Sequence, residues 1–211
     1  MKRAFTLSEV LITLGVIGVV AAMTLPTVIK NYQKQRTVNQ LKKVYTVLNQ
    51  AFKMSEIDND TFENWSKIED EITQEEYAKK YFIPYLKVIK TCDRADKCGY
   101  SSSTPFKNLN NKTLPFHSYG IILNDGTYIG FKKSSIEGIR LFIDINGLQA
   151  PNMYSKDTFV FFINRKGIFP CGYGGNVTTY CSKNHTSNDS GEQCGGKIMN
   201  DGWKIKDDYP W

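Results

Sequence analysis

The stretch that decides the fold is Phe5-Thr6-Leu7-Ser8-Glu9-Val10, which opens an apolar run that lasts to Ile29. Within this run, Glu9 carries the only ionisable side chain. The run is long enough to cross a bilayer as a helix, at about 1.5 Å per residue. A carboxylate placed in hydrocarbon costs roughly a few kcal/mol unless another group pairs with it, so we expect Glu9 to have a partner.

An amphipathic segment follows the apolar run without a break. Its apolar residues recur at helical spacing while lysine, asparagine and glutamine fill the other face, and these apolar positions are Val38, Leu41, Val44, Tyr45, Leu48 and Phe52. We therefore predict one helix from Phe5 to about Met54, roughly 75 Å long, whose second half lies on a sheet. Pro26 lacks an N–H and its ring clashes with a preceding carbonyl, so a bend is expected near Ala22.

The remaining chain predicts a domain of the α+β class. Residues 55–70 are polar and rich in turn formers, and Thr73-x-x-Glu76 predicts a capped helix that Pro84 should interrupt near residues 81–83. From Ser118 onward the pattern predicts an antiparallel sheet of about four strands, at 119–123, 127–131, 140–145 and 157–163. Asn124-Asp125-Gly126 predicts a tight turn between the first two of them.

The N-terminus resembles the class III signal of type IV pilins and type II secretion pseudopilins. A short basic leader, Lys2-Arg3-Ala4, is followed by phenylalanine at the first mature position, Phe5, and by glutamate at the fifth, Glu9. Pro26 stands at mature position twenty-two, counted from Phe5, where type IV pilins carry a helix-kinking proline. Ala4 departs from the family, which usually has glycine before the cut.

The resemblance implies a pilin-like fold and a structural subunit of a type IV pilus-like or type II secretion pseudopilus filament. The precursor would span the bacterial inner membrane once, with its domain outside the cytoplasm, and would then enter a periplasmic or extracellular filament. Prepilin peptidase would cut between Ala4 and Phe5, and Phe5 would be methylated. The other partners would be like subunits, other pilins and the inner-membrane assembly platform. Assembly would involve Phe5, Glu9, Gly18 and Pro26, with residues 18–26 either melted in the filament or simply kinked.

Four parts are expected: a leader peptide at 1–4, a transmembrane and filament-core helix at 5–29, an amphipathic continuation at 30–54 and a globular pilin-like domain at 55–211. The alternative is an ordinary secretory signal with Lys2-Arg3 as its basic region and a cut after Val20-Ala21-Ala22. That cut would release a secreted ligand- or glycan-binding domain that uses the aromatic residues at its C-terminus. The mature N-terminus, Phe5 or Met23, distinguishes the two.

Five cysteines in a chain rich in asparagine and glycine indicate an oxidising compartment. Cys92 and Cys98 bracket a short loop, which favours a local disulfide between them. Three cysteines remain, and we favour a bridge from Cys181 to Cys194 that leaves Cys171 as the odd thiol.

The loop between the last two predicted strands contains Asp144, Asn146 and Asp157. It resembles the Asp-x-Asn-Gly…Pro-Asn…Asp-x-Phe loop of pseudopilin-like proteins, some of which bind calcium in this region. These three side chains would supply oxygen ligands of the kind that calcium takes. We favour plain turns made by side-chain-to-backbone hydrogen bonds, because the dense carboxylate run of a strong calcium site is absent. No other cofactor is expected.

An enzyme is not expected from this sequence. Its two histidines, His117 and His185, lie in polar loop contexts, and no H-E-x-x-H, G-x-S-x-G or phosphate-cradling motif occurs. The formal net charge of +6 becomes +4 if Lys2 and Arg3 leave with the leader, which is too mild to indicate nucleic acid. The sequence does not distinguish secretion from adhesion, motility or DNA uptake.

Overall fold

The computed structural model describes residues 6–68, 70–115, 118–133 and 139–211. The processing positions Ala4 and Phe5, and also His117, lie outside the described residues. The chain divides into two compact units, Met1–Arg36 and Thr37–Trp211. The boundary falls within the predicted amphipathic continuation at 30–54.

The first unit consists, among its described residues, of the beginning of helix α1 (Leu7–Asn59). Its side chains are almost all exposed. The helix is continuous through Pro26, so residues 18–26 are helical in this single subunit. The hydroxyls of Thr13 and Thr24 donate to the carbonyls of Glu9 (2.7 Å) and Val20 (2.9 Å), one turn earlier. These polar groups are therefore satisfied within the helix, as an apolar environment requires.

The remainder of α1 belongs to the second unit. Its buried positions follow the predicted amphipathic stripe and are Thr37, Val38, Leu41, Val44, Leu48, Ala51, Phe52 and Ser55. The predicted end at Met54 is wrong, because the helix continues to Asn59. Ser55 is fully buried, and the Asn59 amide donates to the Ser55 carbonyl (3.2 Å) and the Tyr85 hydroxyl (3.0 Å). These contacts stabilise the last turn of α1, from Ser55 to Asn59, which the pattern of apolar residues does not predict.

The second helix, α2 (Gln74–Tyr81), has the boundaries that the sequence predicts. Thr73 caps it, and Thr73 and Glu76 form a reciprocal capping box. A short 3₁₀ turn with Pro84 at its centre follows at Ile83–Tyr85.

The sheet contains six antiparallel strands, paired in chain order. They are β1 (Val88–Cys92), β2 (Tyr119–Leu123), β3 (Tyr128–Lys133), β4 (Ile139–Asp144), β5 (Thr158–Asn164) and β6 (Gly167–Pro170). The prediction of about four strands is therefore wrong: β2 to β5 are the predicted four, and both edge strands were missed. Only Cys92 is buried in β1, so the strand shows no alternating pattern, and β6 is four residues long and bounded by glycine and proline.

The sheet is apolar on both faces. One face forms a single core with the α1 stripe and includes Ile121, Ile129, Phe131, Leu141, Phe159, Phe161 and Ile168. The other face, with Tyr128, Phe142 and Val160, packs under a loop layer that contributes Tyr100 and Phe106. The Asn49 amide joins α1 to β6, since it donates to the Ile168 carbonyl (2.9 Å) and accepts from the Ile168 N–H (3.0 Å).

An exposed terminus seldom keeps two tryptophans, so the sequence predicts that the C-terminal tail docks on the domain, and the structure shows this. Tyr209 is buried and its hydroxyl donates to the Ser155 carbonyl at 2.6 Å, while Trp203 and Trp211 pack against the core. The sequence after Pro170 predicts a loop-like segment, and this prediction is wrong, because a short helix, α3 (Cys194–Asn200), lies within it. Two glycines among its seven residues hide this helix from a propensity argument.

Candidate functional site

The surface of the first unit is unusually apolar. More than a dozen large apolar side chains between Leu7 and Tyr32 are exposed, each over at least 41 % of its surface. Soluble monomers seldom expose a contiguous apolar patch of this kind. Within the part of the chain that the structure describes, α1 is the one helix long and apolar enough to cross a membrane. The surface therefore needs a cover of lipid or of other apolar protein surface.

Glu9 lies at the beginning of α1 and closes a capping box there. Its Oε2 accepts hydrogen bonds from the N–H and the hydroxyl of Thr6, both at 2.8 Å, and the Glu9 N–H donates back to Thr6 Oγ1 at 3.2 Å. The sequence analysis did not predict this second role of Glu9, although Thr6-x-x-Glu9 has the same spacing as Thr73-x-x-Glu76. The carboxylate keeps one oxygen free of these bonds, and this oxygen can accept from a group outside the subunit.

The other predicted assembly positions, Gly18 and Pro26, lie on the same exposed helix. A side chain added at Gly15 or Gly18 would meet no atom within 4 Å. Glycine is therefore not required at these places by the fold of the subunit itself. Small residues on an apolar helix allow a second helix to approach closely.

The structure brings together the three predicted metal ligands, Asp144, Asn146 and Asp157, in the loop between β4 and β5. Asp157 accepts from the N–H groups of Asn152 (3.0 Å) and Met153 (2.6 Å). Asp144 accepts from the Asn146 N–H and from the Tyr100 hydroxyl, each at 3.2 Å. Both carboxylates are buried. The loop thus uses its carboxylates as acceptors for its own backbone.

Asn152 occupies the centre of this loop and was missed by the sequence argument. With its NH₂ group turned inward, it donates to the carbonyls of Gln149 (3.1 Å) and Gly147 (3.2 Å) and to Asp144 Oδ2 (3.2 Å). A cation bound by these oxygens would have to occupy the position of the Asn152 NH₂ group. Among the described residues, the buried Oδ1 of Asn146 has no hydrogen-bond partner, and this atom favours an additional ligand. The arrangement favours a hydrogen-bonded turn, and calcium binding stays a prediction.

Burial alters the acidity of both carboxyl groups. It raises the pKa of Asp157 to about 6. Burial, and then the neighbouring Asp157 carboxylate, raise the pKa of Asp144 well above its ordinary value. The ordinary pKa in an unfolded chain is about 3.9. In the folded protein these groups therefore hold their protons at pH values where the unfolded chain has lost them.

This difference predicts a pH dependence of stability. Because the folded pKa values exceed the unfolded ones, the native state binds more protons, and stability falls as pH rises through the folded pKa. Between about pH 5 and pH 7.5 the free energy of unfolding should fall by roughly 1.5 kcal/mol from Asp157 alone. Asp144 should add to this fall, and Asp144→Asn should make the total fall smaller, because it removes the contribution of one of the two buried carboxyl groups. Denaturant titrations of the full chain in detergent, with EDTA present, measure both effects.

Asp207→Asn is the matched control, because Asp207 is exposed and makes no part of the loop. Its pH profile should follow that of the wild type. If the free energy of unfolding rises between pH 5 and pH 7.5, or if Asp144→Asn has the same pH profile as the wild type, the two carboxyl groups do not have raised pKa values in the folded protein. Replacing EDTA by calcium tests the cation, since a ligand that binds only the native state raises the melting temperature.

A histidine, a serine and an aspartate also meet in the C-terminal segment. Both Ser187 Oγ and Asp189 Oδ1 contact the same His185 nitrogen, Nε2. A catalytic triad places its serine and its carboxylate on opposite ring nitrogens, so this cluster is not one. Among the described residues, no group of three or more histidine, cysteine, aspartate or glutamate side chains is arranged to hold a metal ion.

The structure contains two disulfides, Cys92–Cys98 and Cys181–Cys194, and Cys171 is a buried free thiol. These are the pairs that the cysteine spacing favours. Burial raises the pKa of the Cys171 thiol above its ordinary value. Thiolates are the nucleophilic form, so this cysteine is expected to be inert.

These features define an α+β domain with two disulfides that follows a long apolar helix. The chain belongs to the family of unknown function DUF6613, whose model matches residues 27–211. No curated protein matches the chain. No solved structure matches it either.

Proposed function

We propose that this chain is a membrane-anchored structural subunit of a type IV pilus-like or type II secretion pseudopilus filament. The observation that supports this proposal is the exposed apolar part of α1, with one carboxylate, Glu9, at its beginning. The same helix continues into a stripe that forms part of the core of the second unit. A segment built in this way anchors a domain and at the same time offers a surface for like segments.

In the membrane, residues 10–29 provide about 30 Å of helix, which matches the hydrocarbon thickness of a bilayer. Lys30, Lys34 and Arg36 follow immediately, and long basic side chains can extend toward the headgroups at the end of a span. The threonine hydroxyls in the span donate to their own helix. Glu9 is then the one charged side chain that lacks compensation in the apolar segment.

In the filament, the apolar helices of neighbouring subunits cover one another and replace the lipid. Cleavage before Phe5 creates a cationic α-amino group close to the end of this helix. Pairing of that group with Glu9 of the adjacent subunit neutralises both charges and fixes the axial step between subunits. The open space at Gly15 and Gly18 allows the helices to pack closely. No catalytic step belongs to this function.

The second candidate is the secreted ligand- or glycan-binding domain. It is favoured by the separation of Thr37–Trp211 as a compact unit, which a signal peptidase could release. A cut before Met23 would nevertheless leave Leu25, Val28 and Ile29 on the mature protein, each more than half exposed. In a filament, the helices of neighbouring subunits would cover these side chains. On a secreted domain they would remain exposed to water.

The mature N-terminus tests the proposal directly. In a host with prepilin peptidase, intact mass and N-terminal sequencing should give a protein that begins at Phe5 and carries one additional methyl group. Ala4→Glu should abolish this product, because a pocket that accepts a small residue cannot bury a larger charged one without a cost of several kcal/mol.

Ala22→Leu is the matched control, since it removes the small residue before Met23 without adding a charge. This variant should still begin at Phe5. A wild-type protein that begins at Met23, together with an Ala22→Leu variant that stays uncut, would establish the secretory signal and exclude the filament proposal.

A further inference from the structure

Four partly exposed aromatic residues form a continuous row beside the edge strand β6 of the second unit. They are Tyr45 of α1, Phe169 of β6, Tyr173 of the turn after β6, and Trp203, which follows α3. The ring centroids of Tyr45 lie 5.3 Å from those of Trp203 and 6.4 Å from those of Phe169, and Phe169 lies 5.3 Å from Tyr173. We call these four residues the aromatic row. All of them come from residues 6–68 and 139–211, which the structure describes without a gap.

The rings of the aromatic row are accessible to a ligand. Tyr173 is 47 % exposed, and the other three side chains are partly exposed. Tyr45 and Trp203 also pack against the core, whereas Phe169 and Tyr173 belong to neither core cluster of the described residues and stack on each other, with 3° between their planes. Protein surfaces usually expose large apolar side chains singly, so a row of four indicates a contact surface.

The turn that carries Tyr173 has a fixed backbone. The Tyr173 N–H donates to the Pro170 carbonyl at 3.1 Å. The Asn200 side chain accepts from the Gly174 N–H at 2.9 Å and donates to the Gly172 carbonyl at 3.2 Å. Gly172 and Gly174 have φ values of 86° and 75°, which residues with a Cβ seldom adopt. The Tyr173 ring is therefore presented on an ordered turn, which lowers the entropy lost on binding.

Trp203 is held in a strained conformation. Its φ is 59°, in the left-handed region that bulky residues rarely occupy. Its N–H donates to the Ile198 carbonyl at 2.8 Å and closes the end of α3. Strained residues of this kind persist only where their surroundings fix them, and they are concentrated at functional sites. The fold thus places the Trp203 ring beside Tyr45 at a conformational cost.

The aromatic row also offers hydrogen-bond donors. Among the described residues, the indole N–H of Trp203 and the hydroxyls of Tyr45 and Tyr173 have no hydrogen-bond partner, and none of these atoms is fully buried. Burial, and then the neighbouring Tyr173, raise the pKa of Tyr45 above its ordinary value, so the Tyr45 hydroxyl keeps its proton and can donate. A ligand with many oxygen acceptors would satisfy these groups.

The charges around the row are few once ion pairs are considered. The charged side chains within four positions of its members are Lys42, Lys43, Arg165, Lys166, Asp201, Lys204, Lys206 and Asp207. Lys43 pairs with Asp125 at 2.7 Å, and Lys206 pairs with Asp201 at 2.6 Å. Arg165 and Lys166 border a hollow that no member of the row lines. Two lysines and one aspartate remain, whereas single-stranded nucleic acids bind in strongly positive grooves. A neutral ligand is therefore favoured.

We infer that the aromatic row binds a neutral oligosaccharide. The C–H groups on the faces of its sugar rings rest on the aromatic rings, whose faces are negative. Oxygen atoms of the sugar accept from the indole N–H of Trp203 and from the hydroxyls of Tyr45 and Tyr173. Chains with β-1,4 bonds and equatorial hydroxyls fit this surface, because they present C–H groups on both faces of each ring. The site lies in the second unit and gives it an adhesive capacity beyond the structural role proposed for the chain.

Cellohexaose and chitohexaose are the probes, because both are neutral chains with β-1,4 bonds. Isothermal titration calorimetry on the full chain should detect binding of at least one of them at millimolar concentration. The detergent is a polyoxyethylene ether, since glucoside and maltoside detergents carry sugars that would compete. Glucose should bind at least roughly tenfold more weakly than the better hexasaccharide, because it covers a single ring of the row.

Two variants test the assigned residues. Tyr173→Ala should weaken binding of the better hexasaccharide at least about fivefold, because one aromatic contact is lost. Its melting temperature should stay close to that of the wild type, because Tyr173 belongs to neither core cluster. Trp203→Phe keeps an aromatic ring but removes the indole N–H, and it should weaken binding about fivefold, the usual worth of one hydrogen bond.

Tyr180→Ala is the matched control. Tyr180 is 36 % exposed, and its ring contacts His185, with centroids 4.6 Å apart, rather than a member of the row. This variant should bind the saccharides like the wild type. The inference is overturned if neither hexasaccharide binds, or if Tyr173→Ala and Trp203→Phe bind like Tyr180→Ala. It is also overturned if single-stranded oligothymidylate binds more tightly than both saccharides, because the row would then be a nucleic-acid surface.

Discussion

Glu9→Ala is expected to enter the membrane and fold normally outside it, yet to be incorporated into filaments at least about tenfold less than the wild type. Leaving one charge of a desolvated pair without its partner typically costs several kcal/mol, and about 1.4 kcal/mol corresponds to a factor of ten. The cost arises at the contact between subunits, where the α-amino group of Phe5 would remain unpaired. Cleavage before Phe5 should be nearly unaffected, because the cut precedes assembly.

The structure adds a complication, because Glu9 also caps α1 through Thr6. Glu9→Gln separates the two roles. Glutamine completes a capping box as glutamate does, but it carries no charge. If the charge fixes the register, Glu9→Gln is incorporated as poorly as Glu9→Ala. If capping is the main role, Glu9→Gln assembles normally and the proposed pairing is wrong.

The measurement is the ratio of variant to wild-type subunit in purified filaments when the two are expressed together in equal amounts. Glu75→Ala is the control, because Glu75 is a partly exposed carboxylate of α2 with a surface ion pair to Lys79. It should be incorporated like the wild type. Filaments that contain Glu9→Ala as readily as wild type would exclude the charge as a register device.

Phe52→Ala is expected to have the largest effect on the stability of the second unit, about 3 to 5 kcal/mol. Phe52 is fully buried in the α1 stripe, and its ring lies 5.3 Å from that of Trp65 and 5.9 Å from that of Phe62. Truncation would leave a cavity between the helix and the segment that follows it. The surrounding aromatic rings are held by several neighbours, so they cannot collapse into the space at no cost.

Met54→Ala is the matched control, two residues further along the same helix. Its side chain is 51 % exposed, and surface substitutions usually change stability by no more than about 0.5 kcal/mol. Urea denaturation of the full chain in detergent, followed by near-ultraviolet circular dichroism, measures both variants. If Phe52→Ala and Met54→Ala lower the free energy of unfolding equally, the buried side chains of α1 do not form part of the core.

The parts of the fold that the sequence predicted are those with a strong local signature. The α1 stripe, the capped α2 and the four central strands all combine a clear period with turn or cap residues. The edge strands β1 and β6 lack this signature, because β1 has a single buried residue and β6 is only four residues long. The spacing of the apolar residues after Thr73 also predicts that Ile89 belongs to the face of the second helix, although it lies in β1. Only pairing with β2 makes this segment a strand.

The candidate sites also differ in whether the sequence alone could reveal them. Glu9 could be found from sequence because a single charge in an apolar run is visible without a structure. Asn152 could not, since its importance comes from three oxygens that only the folded loop brings together.

The strand order has a consequence for how the protein folds during synthesis. Each strand pairs with the next one along the chain, so the sheet can form strand by strand as residues emerge, which favours local steps. The α1 stripe behaves differently. Thr37 bonds to Lys156 and Asn49 bonds to Ile168, each across 119 residues. Helix α1, which is synthesised first, therefore completes its contacts late. Until β6 has been synthesised, the apolar stripe of α1 stays exposed and can misfold or be bound by chaperones.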